Sequence, residues 1–337
     1  MGEKDDFALV RRPPSALEKA ESGAKRILSG MVADALALAD KKRTAPAAAK
    51  FRIGEYQWCE PDYRQILIWA KALRLRPEEV IERLLKGPTG TNDSWRETRF
   101  ENGMLLKISW DFELLPLWDF QWVDGLRTTH LFIYSQPYMN IYPDGWARKR
   151  LPLNLPQLTH LDCRQVGLQE LDLSGCPQLH VLGCSGNWIS QLDLAAVPNL
   201  RELSCTVNNI EELDLSPVPR LIKLNCGING VLRQVRGLRR LTMPSLPNLT
   251  TLSCFSNQLS SLDLSGLPNL TLLHCSENEI GALDLSKVPF LEELDCHSNP
   301  IRSLDIRPLH HLRYCSWRVP AGESWERRLI QRPDQHF

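Results

Sequence analysis

Residues 198–218 read PNLRELSCTVNNIEELDLSPV. If Glu202 to Thr206 is a short strand, Leu200, Leu203, Cys205 and Ile210 can all point inward, because alternate side chains of a strand take opposite faces. The same unit is written seven times. Pro156, Pro177, Pro198, Pro219, Pro247, Pro268 and Pro289 each open P-x-L-x-x-L-x-C-x-x-N-x-[IL]-x-x-L-D-L-S-x-[VL], six units being 21 residues long and the fourth having seven more. A fixed period of this length marks a solenoid rather than a closed globule.

Successive strands of such units stack as a parallel sheet on the concave side of the array. The column Asn187, Asn208, Asn229, Asn257, Asn278 and Asn299 turns the chain out of each strand, with Val166 in its place in the first unit. Its amides satisfy backbone groups that a buried turn would otherwise leave unpaired. A 21-residue unit leaves no room for a full helix, so the L-D-L-S segment reads as a short, extended convex return. The column Asp172, Asp193, Asp214, Asp263, Asp284 and Asp305 reads as a turn cap or solvated row, in preference to an acidic metal ladder.

The unit resembles the leucine-rich repeat family, whose pattern L-x-x-L-x-[LC]-x-x-N-x-L runs through nearly half of this chain. It is similar to the cysteine-bearing repeats of internalin-like and other bacterial proteins. The resemblance implies an α/β-type solenoid with a concave parallel sheet, a bacterial origin and recognition of a partner.

Forty basic and forty acidic side chains among 337 residues give no net charge. That argues against nucleic acid or an anionic membrane as the main partner. No apolar run approaches the roughly 18 residues of a membrane span. Met1 to Asp6 is charged where a signal peptide would turn apolar, so the expectation is a cytoplasmic protein, or one delivered by a non-classical route. Of ten cysteines, Cys163, Cys184, Cys205, Cys226, Cys254, Cys275 and Cys296 share one repeat position. Zinc needs convergent pairs such as C-x-x-C, and none occurs. The seven read as a buried ladder of free thiols, at home in a reducing compartment, with no cofactor implied.

Outside the repeats the chain divides four ways. Residues 1–50 carry a capping box, Ser15-Ala-Leu-Glu18, and apolar residues at helical spacing that predict a helix from Ser15 to Asp40. The basic, Ala/Pro-containing linker 41–50 leaves that helix either docked as a cap or tethered for partner docking or self-association. Residues 51–110 read as a small α+β unit, with helices Asp62 to Leu73 and Pro77 to Leu85 and a hairpin about Asn102-Gly103. A helix-turn-helix reading is set aside because Glu78, Glu79 and Glu82 stand where a groove-reading helix wants basic or amide side chains. The loop 87–93 lacks the G-K-[ST] of a phosphate cradle. Residues 111–155, with Trp118, Trp122, Phe132, Tyr134, Tyr138 and Tyr142, read as an aromatic cap over the solenoid end, in preference to an aromatic ligand pocket. Leu131 and Ile133 are candidates to begin the first concave strand. Residues 310–337 read as a C-terminal cap and tail, with the register shifting at Leu312 and the pattern failing at Cys315 and Trp317.

Catalysis finds little support. Cys59 stands apart from the ladder, but no histidine precedes His130 to act as its base. The residues after the repeats are too few for the ubiquitin-ligase domain that some bacterial repeat proteins carry. Function is therefore expected on the outward strand positions: Lys223 and Asn225 in the middle, then Phe255, His274, Glu293, Asp295 and His297, an aromatic anchor among polar groups. A metal held by His274, Asp295 and His297 is the sharper alternative to ordinary solvated side chains. The insertion 231–240 puts Arg233, Arg236, Arg239 and Arg240 on one side, a candidate for an acidic partner. The expected function is a non-enzymatic scaffold or adaptor that recognises another protein. The competing readings are an enzyme or delivered effector with an unrecognised catalytic unit in 51–150, and nucleic-acid binding through 62–86 and the insertion.

Overall fold

The computed structural model describes residues 51–86, 98–102, 104–111, 121–134, 148–230, 237–317 and 328–330, within one unit spanning Ala49–Phe337. The expected helix Ser15 to Asp40, the linker, the loop 87–93, Trp118, Tyr138, Tyr142 and residues 331–337 lie outside the described residues.

The chain begins with the antiparallel pair β1 (Phe51–Ile53) and β2 (Tyr56–Trp58) and continues into α1 (Glu60–Leu73) and α2 (Pro77–Lys86). Pro61 in its first turn starts α1, and Arg74 in the left-handed region ends it. Asp62 ties α1 down, its Oδ1 accepting a bond from the Leu105 amide at 2.7 Å. The rings of Trp69 and Trp110 pack edge to face at 4.8 Å. The expected hairpin forms between β3 (Arg99–Glu101) and β4 (Met104–Asp111), with Asn102 at φ 50°.

From there the chain winds as a solenoid of about eight turns. The strands are β5 (His130–Tyr134), β6 (Arg148–Leu151), β7 (His160–Asp162), β8 (Leu168–Leu171), β9 (Val181–Gly183) and β10 (Glu202–Ser204). They continue as β11 (Glu212–Asp214), β12 (Lys223–Asn225), β13 (Arg240–Thr242), β14 (Thr251–Ser253) and β15 (Leu272–His274). The last are β16 (Glu293–Asp295), β17 (Ser303–Asp305), β18 (Tyr314–Ser316) and β19 (Arg328–Ile330). One sheet of eleven strands runs β3-β4-β5-β7-β9-β10-β12-β14-β15-β16-β18, parallel except at β3-β4. Short parallel pairs β6-β8, β11-β13 and β17-β19 join the return segments. A leucine from each turn lies in line with the next, Leu161, Leu182, Leu203, Leu224, Leu252, Leu273 and Leu294, and all are buried. Full burial of one such side chain is worth roughly 1.5–3 kcal/mol.

The sheet does not start at the repeats. Ile108 of β4 and Leu131 of β5 already stand in line with Leu161. At the other end the shift expected at Leu312 does not occur. β18 stays in step with β16, Cys315 facing Leu294, so that Cys315 and Trp317 take the leucine and cysteine places and pack on the end of the core.

Two side-chain ladders hold the turns. Asn187, Asn208, Asn257, Asn278 and Asn299 each donate to carbonyls of their own turn and the one before, as Asn208 Nδ2 does to Cys184 and Cys205 at 3.1 Å each while its Oδ1 takes the Ile189 amide at 3.1 Å, and Asn229 donates to Cys226 of its own turn at 2.8 Å. The aspartates cap the return turn: each Oδ1 accepts the amide two residues on, at 2.9–3.1 Å, from Asp172 through Asp305. These bonds give the ladder a capping role. All ten cysteines are free. Burial pushes the Cys205 and Cys254 thiols up to about 12 and Cys315 to about 11.

A thiol held this far up is unreactive, since the thiolate is the nucleophile. The native protein at pH 8 is therefore expected to react slowly with a thiol reagent, and the unreduced, denatured protein to release ten thiols. Fewer than ten after denaturation would reveal disulfides.

Candidate functional site

The pleat sends every second residue of the eleven-stranded sheet to the concave face, and the parallel register lines them up in rows. One row runs Lys107, His130, His160, Val181, Glu202, Lys223, Thr251, Leu272, Glu293, Tyr314. The next runs Ser109, Phe132, Asp162, Gly183, Ser204, Asn225, Ser253, His274, Asp295, Ser316. Cations and anions at the middle pair off, Lys223 Nζ lying 3.2 Å from Glu202 Oε1. Asn225 beside them is exposed.

Phe255 has a prepared seat. A Cβ on Gly227, in the preceding turn, would lie 2.6 Å from the Phe255 ring, so the glycine is what lets the ring rest on the sheet. Toward the C-terminal end, His297 Nδ1 lies 2.6 Å from Asp295 Oδ1, and its Nε2 lies 3.8 Å from Glu277 Oε1. Ser256 Oγ donates to Glu277 Oε2 at 2.5 Å. His274, next to Asp295 across the strands, is buried, and its Nε2 has no hydrogen-bond partner among the described residues. Burial pulls the His274 titration down, against Asp295 and Glu293, which raise it.

The structure therefore brings His274, Glu293 and Asp295 together on the adjacent strands β15 and β16, with His297 just past the end of β16, Phe255 just past the end of β14, and Lys223 and Asn225 on β12 beyond it. It does not arrange His274, Asp295 and His297 as a metal-holding group. Arg239 and Arg240 go elsewhere. Arg240 sits in β13, paired with β11 on the return side, its Nη1 3.2 Å from Glu212 Oε2, and Arg239 Nε reaches Gln258 Oε1 at 3.3 Å. Arg233 and Arg236 lie outside the described residues. Glu277 was missed by alternation because it stands in the turn beyond the strand, and Gly227 was placed outward without its role under the Phe255 ring. That role shows only when columns are compared across turns.

At the opposite end, His130 and His160 stack at 4.2 Å between ring centres and are both buried. Thr129 Oγ donates to Leu106 O at 3.0 Å and lies 2.8 Å from His130 Nδ1, and with one proton to give it accepts from Nδ1–H. Thr159 does the same for His160. Burial, with His160 and Lys107 nearby, holds His130 down at about 2, and burial with His180 holds His160 down at about 4. Both fold neutral and take up protons more readily when unfolded, so the stability they confer is present above pH 6.5 and lost as pH falls below it. Asp62, raised to about 6 by burial, acts in the opposite sense and returns part of the loss. From pH 7 to pH 5 the net loss is expected to be about 2 kcal/mol in urea unfolding. Unchanged or rising stability over that interval would contradict the buried, neutral pair.

A family model described as Leucine Rich repeats (2 copies) matches residues 247–287. No curated protein matches the chain. Among solved structures, the functional domain of InlJ from Listeria monocytogenes, described as including a cysteine ladder, is 26% identical, with a TM-score of 0.48. The alignment covers 65% of this chain and 42% of that one, so this chain spans less than half of the InlJ chain's length. The internalin InlF from Listeria monocytogenes is 21% identical over 60% of this chain and 67% of that one, with a TM-score of 0.42. A Leptospira interrogans repeat protein is 21% identical over 66% and 62%, with a TM-score of 0.40. Among the described residues no helix is long and apolar enough to cross a membrane.

Proposed function

We propose that this chain, whose repeats are leucine-rich repeats, is an interaction scaffold that holds another protein in its concave trough at Phe255 and the strands that follow it. A solenoid of this kind offers an extended concave surface for binding. The observation that carries the reading is the Phe255 ring laid over Gly227: a large apolar side chain, only partly buried, held in place without being part of the core. Such rigid aromatic anchors carry much of the energy of protein interfaces. The free, buried thiols support a reducing compartment.

Phe255→Ala is expected to weaken partner binding by about 2 kcal/mol or more, roughly thirtyfold in affinity. Folding should change little, because the ring lies on the surface. Binding unchanged in Phe255→Ala but abolished by charge reversal at Arg239 and Arg240 would move the site to the return side.

A further inference from the structure

The eleven-stranded sheet ends at β18, and among the described residues no strand pairs with its far side. Tyr314 N and Ser316 O turn back toward β16, meeting Glu292 O at 3.2 Å and Cys296 N at 2.9 Å. Successive residues of a strand direct their backbone groups to opposite sides. Cys315, between those two, therefore turns its N–H and C=O outward, and among the described residues neither has a hydrogen-bond partner. Such an edge is a template for another strand, and proteins that keep it single blunt it with proline, a bulge or charge. β18 reads Tyr-Cys-Ser and stays in step with β16. The charge that precedes it, Arg313, is taken up by Glu292 at 3.4 Å.

The core is uncovered at the same place. Of the ten cysteines, nine are buried and Cys315 is not. Leu312 and Trp317, which pack with Cys315 on the end of the core, are also only partly buried, and Tyr314 beside them is 39% exposed. At the opposite end α1 closes the core, with Trp69 against Trp110 and both fully buried. A repeat array that shows the apolar end of its last turn requires a cap.

Two properties identify the occupant. A lone extended peptide could pair with β18 but would leave Leu312 and Trp317 as they are, whereas the end of a second stacked core covers both. β18 is also its own complement. Set antiparallel about Cys315, two copies exchange both Cys315 N–H and C=O bonds. Arg313 of each then stands opposite Trp317 of the other, a cation against a ring, and Tyr314 stands opposite Ser316. No like charges face each other across the seam. Forty basic and forty acidic side chains leave no net charge to hold two copies apart.

We propose that this chain forms a twofold dimer through β18, joining the concave sheets of two copies into one continuous sheet. The contact uses the same patch on both copies and closes at two.

Sedimentation equilibrium of the full chain, beside two variants, is the test. Tyr314→Lys with Ser316→Lys places lysine opposite lysine across the seam, which destabilises a strand pair. In the single chain the same two positions lie beside Glu293 and Asp295, where lysine is accommodated. Cys315→Pro removes the outward N–H, which an edge strand can spare. The wild type is expected to dimerise with rising concentration, and each variant to weaken the dimer about tenfold or more while still unfolding cooperatively. Hydrogen exchange locates the contact: the Cys315 amide should exchange fast in dilute wild type and become protected as concentration rises. A chain that stays monomeric, a dimer that the lysine pair does not weaken, or a Cys315 amide whose protection ignores concentration would overturn the proposal.

Discussion

Asn257→Ala is expected to cost about 4 kcal/mol or more, among the largest losses a single substitution in this chain can cause. The side chain makes five bonds in a buried turn. Its Nδ2 donates to the carbonyls of Cys226, Cys254 and Phe255 at 3.0, 3.0 and 3.3 Å. Its Oδ1 accepts the amides of Asn229 and Leu238 at 3.1 and 3.2 Å. Alanine leaves those backbone groups desolvated and unpaired, at roughly 1–3 kcal/mol for each one that cannot recruit water. The damage also crosses turns, because Cys226 and Asn229 belong to the turn before and Cys254 and Phe255 to its own. Urea unfolding measures it, and a loss below about 1 kcal/mol would mean that the ladder is not what joins the turns.

Leu252→Ala is expected to cost roughly 2–5 kcal/mol, since it opens a cavity in a close-packed stack. Leu252 is fully buried, in line with Leu224 before it and Leu273 after it, so neither neighbour can move in without disturbing its own turn. Thr251→Ala, one residue away and facing outward, should stay within about 0.5 kcal/mol. Equal effects at the two positions would contradict the inward and outward assignment from which the concave rows are drawn.

The repeats were legible because one column of leucine, one of cysteine and one of asparagine fix the inward face without any reference to tertiary contacts. Where those columns lapse, legibility lapses too. In β4 the place of the cysteine goes to Trp110, and the strand is not followed by the repeat's asparagine, so a strand that continues the sheet reads from sequence as part of a separate unit, while β5 was legible from Leu131 and Ile133. The same holds at β18, where Cys315 and Trp317 look like a break in register and are only a change of residue type.

Local preference misleads in the turn before each asparagine. The residue there is left-handed in every turn, from Gln165 to Ser298, and Val207 and Ile228 adopt φ of 54° and 53° although β-branched residues avoid that region. The asparagine bonds on either side over-determine the turn, at a local cost of about 1–3 kcal/mol. Alternation placed Phe255, His274, Glu293, Asp295 and His297 on the outward face of the sheet, with His274 in line with Asp295 across the strands. It could not place Arg239 and Arg240, which the structure puts on the return side, with Arg240 in β13 beside β11.

Recognition by the concave trough is tested most directly by a photoreactive benzoylphenylalanine placed singly at Asn225, Thr251 or Leu272 on the concave side, and at Ser265 or Ser286 on the return side. Irradiation in native lysate should give a discrete adduct, suppressed by excess unlabelled chain, from the three concave positions and from neither return position. An adduct of that kind from Ser265 or Ser286 alone would contradict it.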